Sequence, residues 1–248
     1  MSIWALSDPH LSFGVPNKSM TVFGPAWNDY TEKIATSWRD LVSPKDLVLL
    51  PGDISWAMKL EEAEADLLWI DALPGTKLLL RGNHDYWWSS AAKMRKALPP
   101  SLHFIHNNSF TWGTTTIGGS RLWDTPEYNF RDFINYQENP RAKSAPLISK
   151  DDDEKIFSRE LERLRLSLSQ LDPLAITRIA LTHYPPIGAD LQPSRTSAIL
   201  EEFKITHCIF GHLHNLKKEY LPLFGTARGI CYELTSCDAI DFRPVKII

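Results

Sequence analysis

The stretch Leu-Leu-Leu-Arg-Gly-Asn-His-Asp, residues 78–85, ends an apolar run with an amide, an imidazole and a carboxylate side by side. Short apolar runs that turn polar at their C-terminal ends are typical of strands buried on both faces of a parallel sheet. Asn83, His84 and Asp85 therefore follow a predicted strand. Their purpose depends on what the other strands carry at the same end.

Four further runs have the same form: SIWAL (2–6), DLVLL (46–50), RIALT (178–182) and HCIFG (207–211). The polar residues that follow these runs are Asp8 and His10, Asp53, His183, and His212 with His214. In open α/β sheets, binding sites form beyond the carboxyl ends of the strands, so we expect these side chains to converge.

Helical patterns separate the predicted strands, which indicates an α/β protein. Residues 61–73 predict a helix that ends against Pro74 and Gly75. Residues 154–171 predict another, whose apolar face consists of Phe157, Leu161, Leu164, Leu168 and Leu171. The acidic triplet at 151–153 ahead of it suits a helix N-terminus, and metal binding is the alternative. Residues 110–120 and 229–236 predict additional β-structure.

The 248 residues are 43% hydrophobic and 23% charged, the composition of an ordinary globular protein with a sizeable core. We predict a single domain, residues 1–248, in which residues 124–149 are interpreted as an ordered loop or lid. The net charge is −3, with 27 basic against 30 acidic residues and no basic block. This balance argues against intrinsic affinity for nucleic acid or an anionic membrane.

The compartment is predicted from the N-terminus and the cysteines. The opening sequence MSIWALSDPHLSF has no basic region followed by an apolar stretch, so it does not predict a signal peptide. No apolar run approaches the ~20 residues that a membrane span requires. The three cysteines, Cys208, Cys231 and Cys237, form no CxxC pair and are interpreted as reduced thiols. We therefore expect a cytoplasmic protein without membrane association.

The polar strand ends offer two carboxylates, one amide oxygen and four imidazoles, with His84 counted separately. In extended backbone, side chains two residues apart point the same way, so Asp8 with His10 and His212 with His214 each present two ligands. Oxygen and nitrogen ligands without thiolate suit Mn²⁺, Fe or Zn²⁺. Seven ligands exceed the needs of one ion, which points to two ions ~3.5–4 Å apart that share a carboxylate.

Each motif alone has an ordinary structural explanation, since a single histidine near a strand end is usually a satisfied structural residue. The joint pattern carries the argument, because five of the eight histidines fall at successive predicted strand ends. The other three, His103, His106 and His207, are interpreted as structural.

The motifs DPH, PGD, GNHD, TH and GHLH, in this order, resemble the five-part signature of the calcineurin-like metallophosphoesterases from residue 3 to about residue 215. The longer phrases PGDISWAMKLEEA, GNHDYWWSS, HYPP and YELTSCD resemble a group of bacterial predicted phosphohydrolases. The resemblance implies a four-layer α/β/β/α sandwich with a binuclear site at the strand ends. It implies one ion on Asp8, His10, Asp53 and His214, and a second on Asp53, Asn83, His183 and His212.

The hypothesis for the mechanism is hydrolysis of a phosphoester by a hydroxide held between the two ions. His84, as imidazolium, would stabilise developing charge or protonate the leaving oxygen, and Asp85 would orient and charge it. Arg121 is the favoured arginine for the phosphate, with a surface ion pair as the alternative. Trp56 and Trp123 are candidates to wall a substrate pocket, with core packing as the alternative.

A phosphorylated small molecule or nucleotide is the favoured substrate, hydrolysed as a monoester or a diester. A nuclease or a protein phosphatase would share the metal core, and a nuclease would be expected to show a basic track, which this chain lacks. A non-catalytic scaffold on the same fold should lose ligands, whereas all seven positions and His84 are filled here. Mn²⁺ or Fe is the favoured metal, and Zn²⁺ is possible.

Overall fold

The computed structural model describes residues 1–136 and 150–248. Within these residues the strands, in chain order, are β1 (Ile3–Ala5), β2 (Leu47–Leu50), β3 (Thr76–Leu79), β4 (Leu102–Phe104), β5 (Phe110–Trp112), β6 (Thr115–Ser120), β7 (Thr177–Thr182), β8 (His207–Phe210), β9 (Thr226–Ala227), β10 (Ile230–Leu234) and β11 (Val245–Lys246). The α-helices are α1 (Tyr30–Leu41), α2 (Leu60–Asp71), α3 (Ala91–Ala97), α4 (Lys150–Leu168) and α5 (Arg195–Glu202).

The strands form two sheets. The first has the order β11-β1-β2-β3-β4, and the second has the order β5-β6-β7-β8-β10-β9. Strands β1 to β4 run parallel, as do β6, β7, β8 and β10. Among the described strands, only those at sheet edges pair antiparallel: β11 on β1, β5 on β6 and β9 on β10. All five strands predicted from the apolar runs are present.

Strand β11 brings the end of the chain back beside its beginning. It pairs antiparallel with β1, with Trp4 opposite Lys246. The backbone N–H of Ile3 donates to the carbonyl of Ile248 at 3.1 Å. Both termini therefore lie at the amino end of β1.

Alternation along the strands explains why both faces of each sheet are buried. In β2, Leu47 and Leu49 point toward the second sheet, and Val48 and Leu50 point toward the helices. Side chains of both sheets meet in one apolar layer, in which Leu78 of β3 and Ile179 of β7 belong to the same cluster. The sheets are thus stacked face to face.

Helices cover the outer faces. The apolar sides of α1, α2 and α3 pack on the first sheet through residues such as Trp38, Leu67 and Met94. The apolar sides of α4 and α5 pack on the second through residues such as Leu164 and Leu200. The predicted four-layer α/β/β/α arrangement is confirmed. None of the described helices is long and apolar enough to cross a membrane.

Helix α4 begins earlier than the sequence pattern predicts. It starts at Lys150 rather than at 154, so the acidic triplet at 151–153 lies in its first turn. Negative charge there is favourable because it faces the positive end of the helix dipole. Asp153 also accepts a hydrogen bond from the indole N–H of Trp123 at 2.9 Å. The predicted apolar face is confirmed: Phe157, Leu164 and Leu168 are fully buried.

Candidate metal centre

The polar residues that follow β1, β2, β3, β7 and β8 meet in one place. Nε2 of His183 lies 3.4 Å from Oδ2 of Asp53, and Nε2 of His10 lies 3.6 Å from the same oxygen. Nε2 of His214 lies 3.7 Å from Oδ1 of Asp8 and 3.1 Å from Nε2 of His10. The strand ends therefore converge as the sequence predicts.

Asn83 and His212 complete the cluster. The amide oxygen of Asn83 lies 2.6 Å from Nε2 of His183 and 3.1 Å from Nδ1 of His212. The backbone N–H of His212 donates to both carboxylate oxygens of Asp8, at 3.1 and 3.0 Å. All seven predicted ligand residues thus border one shared space.

Hydrogen bonds on the far side of two imidazoles fix which nitrogen faces the cluster. Nδ1 of His183 lies 3.0 Å from the carbonyl of Pro51, an acceptor, so Nδ1 carries the proton. Nδ1 of His214 lies 2.8 Å from the carboxylate of Asp238 and carries its proton for the same reason. Nε2 is therefore the nitrogen that points inward in both residues, the one through which each ring would ligate a metal.

The cluster fits cations, because the groups directed inward are carboxylate and amide oxygens and imidazole nitrogens, which ligate metals. Two groups of side chains bring their ligand atoms within 4.8 Å of one another: Asp8, His10 and His214, and Asp8, Asp53 and His183. The first group matches three of the four ligands expected for one ion. The second contains Asp53 and His183 of the other expected set, with Asp8 in addition.

Electrostatics also favour positive charge at the centre. Burial lowers the pKa of His183, but the carboxylates of Asp53 and Asp8 outweigh that effect and raise it to about 9. Burial likewise lowers the pKa of His214, and Asp238 and Asp8 raise it to about 9. In the metal-free protein, the protonated imidazoles of His183 and His214 supply positive charge beside these buried carboxylates.

The backbone at the site adopts conformations that side chains rarely tolerate. Asp8, His10, Asp53 and His212 have φ of +57°, +43°, +51° and +73°. A residue held in this left-handed region costs of order 1–3 kcal/mol and persists where the surrounding structure holds it. The turns after β1, β2 and β8 therefore carry strain at the ligand positions themselves.

His84 lies at the edge of the cluster. Its backbone N–H donates to Oδ1 of Asp53 at 2.8 Å, and its ring centroid is 4.5 Å from that of Trp56. Burial lowers the pKa of its imidazole, which makes the protonated ring a stronger acid. His84 is half-buried, as a group that meets a ligand must be.

Asp85 is buried and accepts hydrogen bonds from groups other than the His84 ring. Its Oδ2 accepts from the backbone of Gly82 at 2.7 Å, and its Oδ1 accepts from the backbones of Ile54 and Ser55 and from the indole of Trp87. These contacts join the turns after β2 and β3. The orientation of His84 by Asp85 stays a prediction.

The residues predicted to bind substrate lie in different surroundings. Trp56 stacks on His10, with ring centroids 4.9 Å apart, and thus walls the cluster. Arg121 lies 3.8 Å from Glu160 and over the ring of Trp123. Its guanidinium therefore has a carboxylate partner already, the ion pair considered as the alternative, and a contact with phosphate stays a prediction.

A cleft of about 660 Å³ opens beside the cluster at His212 and Tyr184. Aromatic rings supply much of its wall, including Trp123, Tyr128 and Phe130. Tyr128, Phe130 and other lining residues up to Tyr136 belong to the segment predicted as a lid, of which residues 124–136 are described and 137–149 lie outside the described residues. The described part is joined to the loop after His214, because the backbone of Asn135 donates to Asn215 at 2.8 Å.

Sequence reasoning missed two polar residues of the site, Ser236 and Asp238. Ser236 donates to Oδ2 of Asp8 at 3.1 Å, and Asp238 binds His214 as described above. Both follow β10, so they are another polar strand end. The signal was available in the sequence, because both residues lie in the phrase YELTSCD, which ends the late β stretch.

A family model described as calcineurin-like phosphoesterase matches residues 1–216. The chain belongs to this family. As a calcineurin-like phosphoesterase it is a hydrolase of phosphoesters, and the family implies two divalent metal ions, which the Asp and His groups described above are able to bind.

Solved structures similar to this phosphoesterase include the following two, of which the first resembles it in fold. One is a phosphopantetheinyl hydrolase from Mycobacterium tuberculosis, with 15% identity, a TM-score of 0.55, and coverage of 95% of this chain and 88% of that chain. The other is a protein of unknown function from Aquifex aeolicus, with 15% identity, a TM-score of 0.49, and coverage of 99% and 95%. A comparison with curated proteins finds no match.

Proposed function

We propose that this chain hydrolyses the phosphoester of a small molecule or nucleotide. Asp8, His10, Asp53 and His214 would hold one ion, and Asp53, Asn83, His183 and His212 the other. The observation that carries the proposal is the convergence of seven acceptor side chains from five strand ends, with His183 and His214 fixed in the tautomer that ligates through Nε2. Mn²⁺ or Fe is the expected metal, with Zn²⁺ as the alternative.

When bound, the ions would supply an activated water near neutral pH and would neutralise charge on the phosphoryl oxygens. The side chains of the protein position the reacting groups and donate the proton. Asp53 holds the backbone of His84 through a 2.8 Å hydrogen bond, which sets the distance of His84 from the reacting phosphate. The His84 ring, as imidazolium, would give its proton to the leaving oxygen and become neutral, and the ring of Trp56 lies beside it.

The cleft at Tyr184 is the proposed place for the organic part of the substrate. Trp123, Tyr128 and Phe130 offer apolar and stacking surface there, which suits a flat or apolar group such as a nucleobase. A cleft of about 660 Å³ has the size that small-molecule sites commonly have. We also propose that residues 1–248 form one domain. A cytoplasmic location stays a prediction.

The test of the reaction is metal-dependent hydrolysis of p-nitrophenyl phosphate and its bis-ester by the purified protein. We expect turnover with Mn²⁺, loss of turnover in Asp53→Ala, and wild-type turnover in Asp40→Ala, since Asp40 is an exposed aspartate on α1. Equal activity in Asp53→Ala and the wild type would contradict the shared carboxylate. Absence of turnover of both esters by the Mn²⁺-loaded wild type would contradict the reaction.

The test of the substrate class is a panel assayed with the Mn²⁺-loaded protein: nucleotides, cyclic nucleotides, sugar phosphates, phosphopeptides and single-stranded DNA. We expect the highest kcat/KM with a small aromatic or nucleotide ester. We also expect Tyr128→Ala to raise KM for that ester more than for a sugar phosphate. A clear preference for DNA would indicate a nuclease, and a preference for phosphopeptides would indicate a protein phosphatase.

A further inference from the structure

Residues 235–238, Thr-Ser-Cys-Asp, follow β10 and lie beyond residues 1–216, the part of the chain that matches the family model. We call them the β10-end segment. They run beside the turn after β1, and an isolated parallel bridge joins Ser7 to Ser236. The β10-end segment therefore connects the second sheet to the turn of the first sheet that carries Asp8.

The β10-end segment holds Asp8 from several sides. The hydroxyl of Ser236 donates to Oδ2 of Asp8 at 3.1 Å, and the thiol of Cys237 donates to the Asp8 carbonyl at 3.0 Å. The backbone of Ser7 donates to Thr235 at 2.7 Å and accepts from Cys237 at 3.0 Å. These bonds fix both the backbone and the carboxylate of Asp8, whose left-handed φ requires such support.

The same segment holds His214 through Asp238. One carboxylate oxygen of Asp238 accepts from Nδ1 of His214 at 2.8 Å, and the other accepts from the backbone of Asn215 at 2.8 Å. The Asp238 side chain is only 9% exposed. Both oxygens are thus used to orient one imidazole and the loop that carries it. A carboxylate on the far nitrogen of a ligating histidine also increases its basicity.

We infer that Asp238, with Ser236, is a positioning residue that sets the affinity of the ion held by Asp8, His10 and His214. The inference rests on the metal assignment in the proposed function. It concerns one ion of the two, because the hydrogen bonds of the β10-end segment reach Asp8 and His214. His183 is instead held by the carbonyl of Pro51. A change at Asp238 should therefore weaken the binding of one ion and leave the binding of the other unchanged.

The test is titration of the metal-free, full-length protein with Mn²⁺ by isothermal calorimetry, which needs no substrate. We expect two sites in the wild type. In Asp238→Asn we expect the Mn²⁺ affinity of one site to fall by 10- to 100-fold, the usual effect of losing a hydrogen-bond partner of a ligating histidine. We expect the affinity of the other site to stay within about twofold of the wild-type value. Asp241→Asn is the matched control, because Asp241 is an exposed aspartate three residues along the same segment of chain.

A double variant separates positioning from a general loss of structure. If Asp238 acts through His214, then Asp238→Asn should cause no additional loss of Mn²⁺ affinity in the His214→Ala background. Full additivity of the two losses, equal weakening of both sites, or wild-type affinity in Asp238→Asn would each overturn the inference. A wild type that binds fewer than two Mn²⁺ ions would overturn the metal assignment itself.

Ser236→Ala keeps the inference testable if Asp238→Asn does not fold. It removes one oxygen and its hydrogen bond to Asp8, without adding volume to the buried turn. We expect a smaller loss of Mn²⁺ affinity, confined to the same single site. Wild-type affinity at both sites would overturn the role of the β10-end segment.

Discussion

At the scale of single residues, the position of His84 leads to a prediction about leaving groups. We expect His84→Ala to lower kcat by roughly 10²- to 10⁴-fold for an alkyl phosphate, which needs a proton on its leaving oxygen. We expect a smaller loss for p-nitrophenyl phosphate, since its leaving group is already stable as an anion. Steady-state kinetics with both esters measures the difference.

Tyr86→Phe is the control for that comparison, because the Tyr86 ring lies 6.4 Å from the His84 ring and is exposed. We expect it to keep wild-type kcat with both esters. An equal loss of kcat for both esters in His84→Ala would argue against proton donation by His84 and would indicate a role in binding instead.

The raised pKa values of His183 and His214 predict how metal affinity depends on pH. Each imidazole has a pKa of about 9 in the metal-free protein, so each holds a proton at neutral pH that Mn²⁺ must displace. Affinity should therefore rise as pH increases from 6.5 toward 9, by about tenfold per unit for each proton displaced. Calorimetry in two buffers with different ionisation enthalpies counts those protons. Affinity that stays constant over this range would contradict the prediction.

The sequence predicted which side chains meet at the cluster, because residue identity and strand position are both visible in it, as the motifs at Asp8, Asp53 and His183 show. It could not reveal which groups form hydrogen bonds or ion pairs with the predicted site residues. The partner of His214, Asp238, is 24 residues away in the chain, and their contact depends on how the two sheets meet. The partner of Arg121, Glu160, belongs to a helix face whose rotation the sequence pattern fixes only coarsely.

At the scale of elements, the turn after β3 leaves no space for a side chain at Gly82. A Cβ there would lie 2.1 Å from Oδ1 of Asp53. We expect Gly82→Ala to displace the Asp53 carboxylate, to abolish Mn²⁺ binding at both sites, and to destabilise the fold by about 1–3 kcal/mol through overpacking. Metal content by mass spectrometry and denaturant unfolding measure the two effects.

Gly225→Ala is the matched control, because a Cβ at Gly225 meets no atom within 4 Å. We expect it to bind two Mn²⁺ ions and to unfold as the wild type does. A Gly82→Ala protein that retains both ions would show that the turn can move, and it would contradict the close approach described here.

Apolar patterning predicted some elements and not others, and length does not separate them: β1 has three residues and was predicted, whereas α1 has twelve and was not. Helices α2 and α4 have apolar faces that the sequence displays, and the central strands are continuous apolar runs. Strands β9 and β11 have two residues each, and their existence depends on pairing with β10 and β1. Such pairing is a tertiary effect, which local pattern and propensity do not contain.

At the scale of the whole molecule, the two sheets each contribute proposed ligands. Asp8, His10, Asp53 and Asn83 follow strands of the first sheet, whereas His183, His212 and His214 follow strands of the second. Ions bound as proposed would link the two halves of the sandwich. The stacking of the sheets followed from the family resemblance, since the apolar runs alone fit one open sheet as well as two.

Metal removal should therefore lower the stability of the whole protein. A ligand present at 100 times its Kd stabilises the native state by about 2.7 kcal/mol. For a chain of this length that corresponds to roughly 5–10 °C in Tm. We expect Tm to fall by that amount when EDTA is added to the Mn²⁺-loaded protein. Differential scanning calorimetry measures the change.

The control for that experiment is Asp53→Ala, which lacks the shared carboxylate. Its Tm should be insensitive to both Mn²⁺ and EDTA. A wild-type Tm that does not change with EDTA would contradict the link between the sheets.

The return of β11 beside β1 has a practical consequence. Residues 1 and 248 lie at the amino end of β1, whereas Asp8 follows its carboxyl end, so both lie away from the candidate metal cluster. An affinity tag on either terminus should neither compete for metal nor obstruct substrate. Tethered to a surface by either end, the molecule would face its reactive side toward the solution.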